Sequence, residues 1–260
     1  MSKRLGMLFP PVAVFVAFVG LWYLYSGVVL DEARRKITLP YFHDVVDQSF
    51  LDGENRGELL GATWTSAWIA AVGLAISIVL GLLFAVLMSQ AKWVERSFYP
   101  YAVLLQTLPI LALVPFIGLQ IGFGIKARIV VVVIISLFPI ITNTLFGLKA
   151  AEQGHHDLFT LHDSTRMTRL FKLQFPSALP AMFTGFQISA GLAVIGSIVG
   201  GLFFGRGAVD LGNRIQLYVA RLRAAELIGA IMLSAALGVM AFWLFGYLRN
   251  YFTASWNEAE

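Results

Sequence analysis

Residues 149–172 read KAAEQGHHDLFTLHDSTRMTRLFK and run into Leu173-Gln174-Phe175-Pro176-Ser177-Ala178-Leu179-Pro180. This is the long polar interruption in a chain that is otherwise almost continuously apolar. Hydrophobic residues make up 58% of the 260, and charged residues only 13%. The mean hydropathy is +0.77. Soluble domains run nearer half apolar and a quarter charged, so the chain is an integral membrane protein. A helix needs about 20 apolar residues to span a bilayer. The uncharged stretches 5–30, 59–91, 97–125, 129–148, 173–205 and 227–248 all qualify. The expected fold is all-α and polytopic, a single transmembrane domain over 1–260 with about six spanning helices. That leaves no room for a soluble catalytic domain.

Outward from the interruption, residues 31–58 form a polar loop. Thr38-Leu39-Pro40 breaks it, and a short surface helix is expected over 41–51. Ala91-Lys92-Trp93-Val94-Glu95-Arg96 is a brief connection with an interfacial tryptophan. The stretch 97–125, holding Pro109 and Pro115, is expected as one helix. Gly122-Phe123-Gly124 turns into a helix holding Pro139, and residues 206–226 form an amphipathic connection. Lys3-Arg4 before an apolar run resembles a signal-peptide start. The run is too long and lacks a small-x-small cleavage site, so a retained helix is expected.

Several functions are excluded or disfavoured. Cysteine is absent, which removes disulfides, thiolate metal sites and cysteine nucleophiles. No G-x-x-x-x-G-K-[ST] occurs, so there is no P-loop for ATP. The net charge of +4 is spread over all the loops, which suits anionic lipid headgroups and not nucleic acid. Arg206, Arg214, Arg221 and Arg223 read either as headgroup contacts or as attraction for an anion. No ionisable residue lies near the middle of any apolar stretch, which argues against a proton-driven carrier. The neutral polar residues Gln106, Asn143, Gln187 and Ser197, with Pro109 close after the first, read either as helix–helix contacts or as an uncharged translocation path. Gly196-xxx-Gly200 and Gly201-xxx-Gly205 read first as packing. Counting lysine and arginine in alternate loops nearly balances the two sides, so charge alone leaves orientation open.

Within the interruption, Asp163-Ser164-Thr165 looks like a turn and helix cap. Met167, Leu170 and Phe171 fall on one face of the following segment, with Arg166, Arg169 and Lys172 on another, as in a basic helix lying along a membrane surface. His155-His156-Asp157 and His162-Asp163 mimic metal-hydrolase pairs. A hydrolase needs further ligands and a pocket, so no metal is expected.

The spacing of these residues resembles a known family. The membrane subunits of binding-protein-dependent ABC importers share a loop of pattern E-A-A-x3-G-x9-I-x-L-P. Asp157 falls at the Glu, Leu158 and Phe159 at the two Ala, Asp163 at the Gly, Leu173 at the Ile, and Phe175-Pro176 at the final pair. Leu39-Pro40, Lys92-Trp93-Val94-Glu95-Arg96, Leu105-Gln106-Thr107-Leu108-Pro109, Leu113-Val114-Pro115, Gly122-Phe123-Gly124, Phe138-Pro139-Ile140 and Asn143-Thr144 occur in the right order. Together they resemble the nitrate, sulfonate, taurine and thiamine-precursor branch.

The resemblance implies a type I importer permease fold, with two such subunits, in a homodimer, forming the path for a small solute. It implies that residues 149–175 are a cytoplasmic coupling segment, in which Asp157, Leu158, Phe159, His162, Asp163, Ser164, Thr165 and Arg166 dock on an ATPase dimer. ATP and Mg would be bound by that partner and no cofactor by this chain. A solute-binding protein would dock outside, on the side of the 31–58 loop. The chain would lie in a bacterial or archaeal cytoplasmic membrane with its N-terminus inside. The bulk of Leu158 and Phe159, at positions the family fills with small residues, implies a wider groove and so a dedicated ATPase. A stand-alone channel or secondary carrier is the alternative reading.

Overall fold

The computed structural model describes residues 2–253, and the side chains of residue 10 and residues 12–253. Lys3 and Arg4, used above for orientation and for the signal-peptide comparison, lie outside the described side chains. Among the described residues every regular element is helical. Five helices are long and apolar enough to cross a membrane, and six crossings result if a bent pair counts as one span.

The chain divides into two compact units. The first comprises Met1–Ala62 and Arg214–Leu233. Its α1 (Ser2–Leu24) continues through a π turn at Tyr25–Val29. Over Val12–Val29 the side chains are mostly exposed, as suits a helix facing lipid. Two side chains anchor its end to the following loop. Trp22 Nε1 donates to the Pro40 carbonyl at 2.8 Å, and Ser26 Oγ to the Leu39 carbonyl at 2.7 Å. The 31–58 loop carries more structure than expected. Asp31 caps α2 (Glu32–Thr38) by accepting from the Arg34 N–H. The expected surface helix is α3 (Phe42–Val46), extended by a π turn at Asp47–Leu51. Asp52 then accepts from the N–H groups of Glu54 and Asn55, starting α4 (Gly53–Gln90) ahead of position 59. At 38 residues, α4 is about 57 Å long, well over the ~30 Å hydrocarbon core. Its first turns therefore stand in water, which is why charges there do not end it.

The second unit comprises Thr63–Asn213 and Ser234–Glu260. The expected single helix over 97–125 is instead α5 (Lys92–Thr107) and α6 (Ile110–Ile121), bent by 101°. The cause is local. Pro109 has no N–H, and its ring pushes Leu108 into an extended conformation (ψ 128°). The Leu104 carbonyl accepts both the Thr107 hydroxyl and the Leu108 N–H, so the last turn of α5 is complete and the chain departs only at Leu108.

The pair is a broken span and not a re-entrant loop, as its neighbours on α7 (Ile125–Leu148) show. Lys149 Nζ pairs with Glu95 at 2.5 Å, placing the start of α5 beside the end of α7. Ala102 and Leu105 then pack with Leu137, Ile141 and Leu145. Ile110, Val114 and Ile117 pack with Ala127 and Val131, near the start of α7. The two halves thus pack on opposite ends of α7, α5 toward its C-terminus and α6 toward its start.

The polar segment follows as α8 (Gln153–Leu161), α9 (Arg166–Arg169) and a π turn at Leu170–Gln174. The chain re-enters as α10 (Phe175–Phe203), then forms α11 (Leu211–Ala220) and α12 (Ala224–Thr253). Helices α7 and α10 pack antiparallel through glycines. A methyl carbon added at Gly185 would lie 2.9 Å from the Pro139 carbonyl oxygen, and one at Gly196 3.0 Å from Val132 Cα. Gly196 and Gly200 therefore serve packing, as read from their spacing. Gly205 meets no neighbour within 4 Å. Hydroxyls stitch the centre. Ser77 Oγ lies 2.8 Å from Ser136 Oγ, and Ser189 Oγ donates to the Ser136 carbonyl at 2.7 Å.

Candidate functional site

The segment read as a coupling element is shaped by how α8 ends. The Ser164 N–H bonds the Phe159 carbonyl and the Asp163 N–H bonds the Thr160 carbonyl. That pairing is a Schellman stop, which demands a left-handed residue after the cap. Asp163 supplies it with φ +47°, in one of the few non-glycine side chains that tolerate the region. Thr165 then caps α9 by accepting from the Thr168 N–H at 3.2 Å. Arg169 Nη2 reaches back to Thr160 Oγ1 at 2.9 Å, holding α9 against α8. Gln153 Nε2 donates to Asp157 one turn on, and His162 Nδ1 lies 3.0 Å from the Leu158 carbonyl.

The result is a rigid helical elbow with its apolar side chains outward. Leu158 is 50% exposed, Leu161 82% and Met167 61%. Leu158, Phe159, His162, Ser164, Thr168 and Lys172 line a hollow of about 290 Å³. Asp157 and Arg166 stand exposed on its flanks. The basic helix expected to lie along the membrane surface instead runs through the π turn directly into α10, so that Arg166–Phe203 is one continuous helical run. Leu170 is buried there, while Phe171 stays exposed and stacks on Phe175 with centroids 5.6 Å apart. Among the described residues, the histidines and acids of this segment form no group that could share a metal ion.

The polar residues read as a path do not all meet. Gln106 is exposed and lines a cavity of about 350 Å³ with Leu108, Ile110, Phe138, Pro139 and Leu192. Pro109 makes the break beside it. Asn143 lies one turn past Pro139 and donates to its carbonyl at 2.8 Å. Gln187 is buried against Gly246 of α12, and Ser197 is buried with its hydroxyl on the Val194 carbonyl. Gln187 thus packs between α10 and α12 and Ser197 bonds within its own helix, whereas Gln106 faces open space.

One constellation was not read from the sequence. Arg128, in the first turn of α7, is fully buried and pairs with the fully buried Asp210 at 2.6 Å. It also donates to the carbonyls of Phe204, Ala208 (2.9 Å) and Arg206 (3.2 Å). Asp210 accepts from the Asn213 N–H, opening α11, and Asn213 Nδ2 returns to the Gly201 carbonyl at 2.6 Å. The Leu211 N–H bonds Ser66 of α4. Burial pushes the Asp210 carboxyl above the ordinary carboxylate value, against the opposing pull of the Asn213 and Gly212 N–H groups and Arg128. Asp210 with Asn213 three residues on is a legible helix start. Its partner, 82 residues away, is not. Of the arginines read as headgroup or anion contacts, Arg214 pairs with Glu58 at 2.7 Å and Arg223 with Glu226 at 2.5 Å. Those two are bound to protein and not committed to lipid, whereas Arg206 and Arg221 are exposed.

Comparison with known proteins gives this architecture its class. The family described as "Binding-protein-dependent transport system inner membrane component" matches residues 77–254. The chain belongs to that family, and is a transport permease subunit of the inner-membrane type and not an enzyme. It is 37% identical over 182 residues to the formylaminopyrimidine transport permease protein ThiX of Halalkalibacterium halodurans, covering 69% of this chain and 73% of that one. It is 27% identical over 243 residues to the bicarbonate transport system permease protein CmpB of a Synechocystis strain, covering 92% and 86%. In fold it is similar to a chain of the inward-facing MetNI methionine ABC transporter. The TM-score is 0.68 at 19% identity, with 78% of this chain and 99% of that chain covered. The type I importer permease fold implied by the sequence is the observed one.

Proposed function

We propose that two copies of this chain form the membrane path of an ATP-driven importer, with the elbow of α8 and α9 as its contact to a cytoplasmic ATPase dimer. The observation that carries this reading is the elbow itself. It is a water-exposed, internally braced pair of helices that presents Leu158, Leu161 and Met167 outward. Such side chains are left exposed for a partner. With the bent pair counted as a crossing, the elbow and the N-terminus fall on one side, assigned to the cytoplasm. The 31–58 loop then faces outward, toward a solute-binding protein. ATP and Mg belong to the ATPase, and this chain binds neither. The named relatives carry unlike cargoes, a formylaminopyrimidine and bicarbonate. The external protein therefore selects the solute, and a ligand screen of that protein identifies it.

Reconstitution in vesicles tests the proposal. Uptake should require ATP, the ATPase and the binding protein together. Because the chain lacks cysteine, a single Leu158→Cys should cross-link only to the ATPase. Uptake by this chain alone would favour a channel or carrier and overturn the importer reading.

A further inference from the structure

The Arg128 cluster shares no lining residue with the hollow of the elbow or with the Gln106 cavity. Its geometry is nonetheless that of a hub. One guanidinium takes four acceptors from a single loop, the Asp210 carboxylate and the carbonyls of Phe204, Arg206 and Ala208. Three of these acceptors are main-chain carbonyls, so the contact reads loop shape and not one side chain. A guanidinium suits this because its donors fan out in a fixed plane. The Arg206 N–H bonds the Phe123 carbonyl, tying the same loop to the turn before α7. Gly201 has no side chain where one would collide with the Asp210 carboxylate, and at Gly200 an added carbon would sit 3.1 Å from Arg128 Cα. The ends of α7 and α10, the start of α11 and the loop between them thus share one buried ionic centre. Drawing α10 away from α7 at this end would strand a permanent cation and three carbonyls in a site that excludes water.

We propose that Arg128 is a positioning residue for transport, whose clasp keeps this end of α7 and α10 a single block through the whole cycle, so that access on this side changes elsewhere. The proposal rests on the importer reading above, and its test separates the two. The complete complex, with ATPase and binding protein, is placed in vesicles with the cognate solute found by the ligand screen. Absence of ATP-driven uptake by the wild-type complex overturns the importer reading and this proposal with it.

With wild-type uptake established, Asp210→Asn, Gly201→Ala and Arg128→Lys are compared for two quantities. One is passive leak without ATP, and the other is ATP hydrolysed per solute moved. Gly201→Ala alters no charge but displaces the Asp210 carboxylate, so it should mimic Asp210→Asn. The expected result is leak raised at least tenfold and ATP per solute raised several-fold, with Arg128→Lys mildest. Assembled variants with wild-type leak and coupling overturn the proposal.

A second measurement stands if the variants fail to assemble. Cysteines at Phe123 and Arg206, where the Arg206 N–H bonds the Phe123 carbonyl at 3.2 Å, test for a disulfide between the turn before α7 and the loop after α10. Oxidation should leave at least half of the reduced rate of uptake. Uptake abolished by oxidation and restored by reduction would show that this turn and loop must part, and would overturn the clasp.

Discussion

The elbow of α8 and α9 and the clasp of Arg128 are opposite uses of a short polar loop between the ends of membrane helices. In the elbow the backbone groups satisfy one another, through the Schellman stop at Asp163 and the Thr165 cap. Its side chains are thereby free, and Leu158, Leu161 and Met167 face outward. In the clasp the backbone carbonyls are satisfied by a buried side chain from another helix, and Asp210 is fully buried. The lesson is that self-sufficient backbone leaves a loop able to meet a partner, while a loop dependent on another helix becomes part of the core. Substitutions in the clasp should therefore alter stability, and those on the elbow should alter association.

The largest expected effect is at Arg128. Arg128→Ala leaves Asp210 buried without its cation, and breaking one partner of such a pair costs about 3–5 kcal/mol. Thermal unfolding of the purified chain in detergent should show a large drop in midpoint, or no folded protein at all. A midpoint within a degree of wild type would erase the distinction between the two loops.

Next is the glycine seam that brings α7 against α10. At Gly185 an added carbon would meet the Pro139 carbonyl oxygen and Asn143 Cβ, both at 2.9 Å. Overpacking of this kind costs about 1–3 kcal/mol. Gly185→Ala should lower the unfolding midpoint by less than Arg128→Ala. Gly154→Ala in the elbow, where nothing lies within 4 Å, should not lower it.

On the elbow the sign of the contrast reverses. Leu158→Asp removes exposed apolar surface, so its effect on stability should stay within about 0.5 kcal/mol. Affinity for the ATPase should fall tenfold or more, about 1.4 kcal/mol. Titration of the labelled ATPase against detergent-solubilised permease measures it. Unchanged affinity would remove the elbow as the docking surface.

The two loops also differ in how far they can be read from sequence. The elbow is local. Its turn, cap and exposed apolar residues lie within one run of residues, so Asp163 and Thr165 point to the geometry directly. The break at Pro109 was half legible. The proline was conspicuous, but Pro100, Pro115 and Pro139 all sit inside helices. What distinguishes Pro109 is the extended Leu108 before it. The clasp was hidden because its pairing is non-local. Arg128 sits at the edge of an apolar run, where a lone arginine ordinarily meets lipid headgroups, and nothing in its neighbourhood names Asp210. Gln187 and Ser197 look like Gln106 in sequence, and only packing separates a helix contact from a residue facing a cavity.

The smallest effect sharpens the comparison most, because it touches backbone alone. Asp163 holds φ +47°, and a left-handed conformation costs an ordinary L-residue roughly 1–2 kcal/mol. Asp bears less of this than most, and glycine none of it. Asp163→Gly should therefore leave the unfolding midpoint and ATPase affinity nearly unchanged, since relief of strain is offset by the greater freedom of the unfolded chain. Asp163→Val keeps neither the tolerance nor the small size, so it should loosen the Schellman stop. ATPase affinity should then fall while global stability moves by only about 1 kcal/mol. Hydrogen exchange should report the same difference locally, with the Ser164 amide losing protection in the valine variant and keeping it in the glycine one. Equal behaviour of the two variants would mean that the turn is held by contacts beyond its own backbone, and the elbow would then be less self-sufficient than its hydrogen bonds imply.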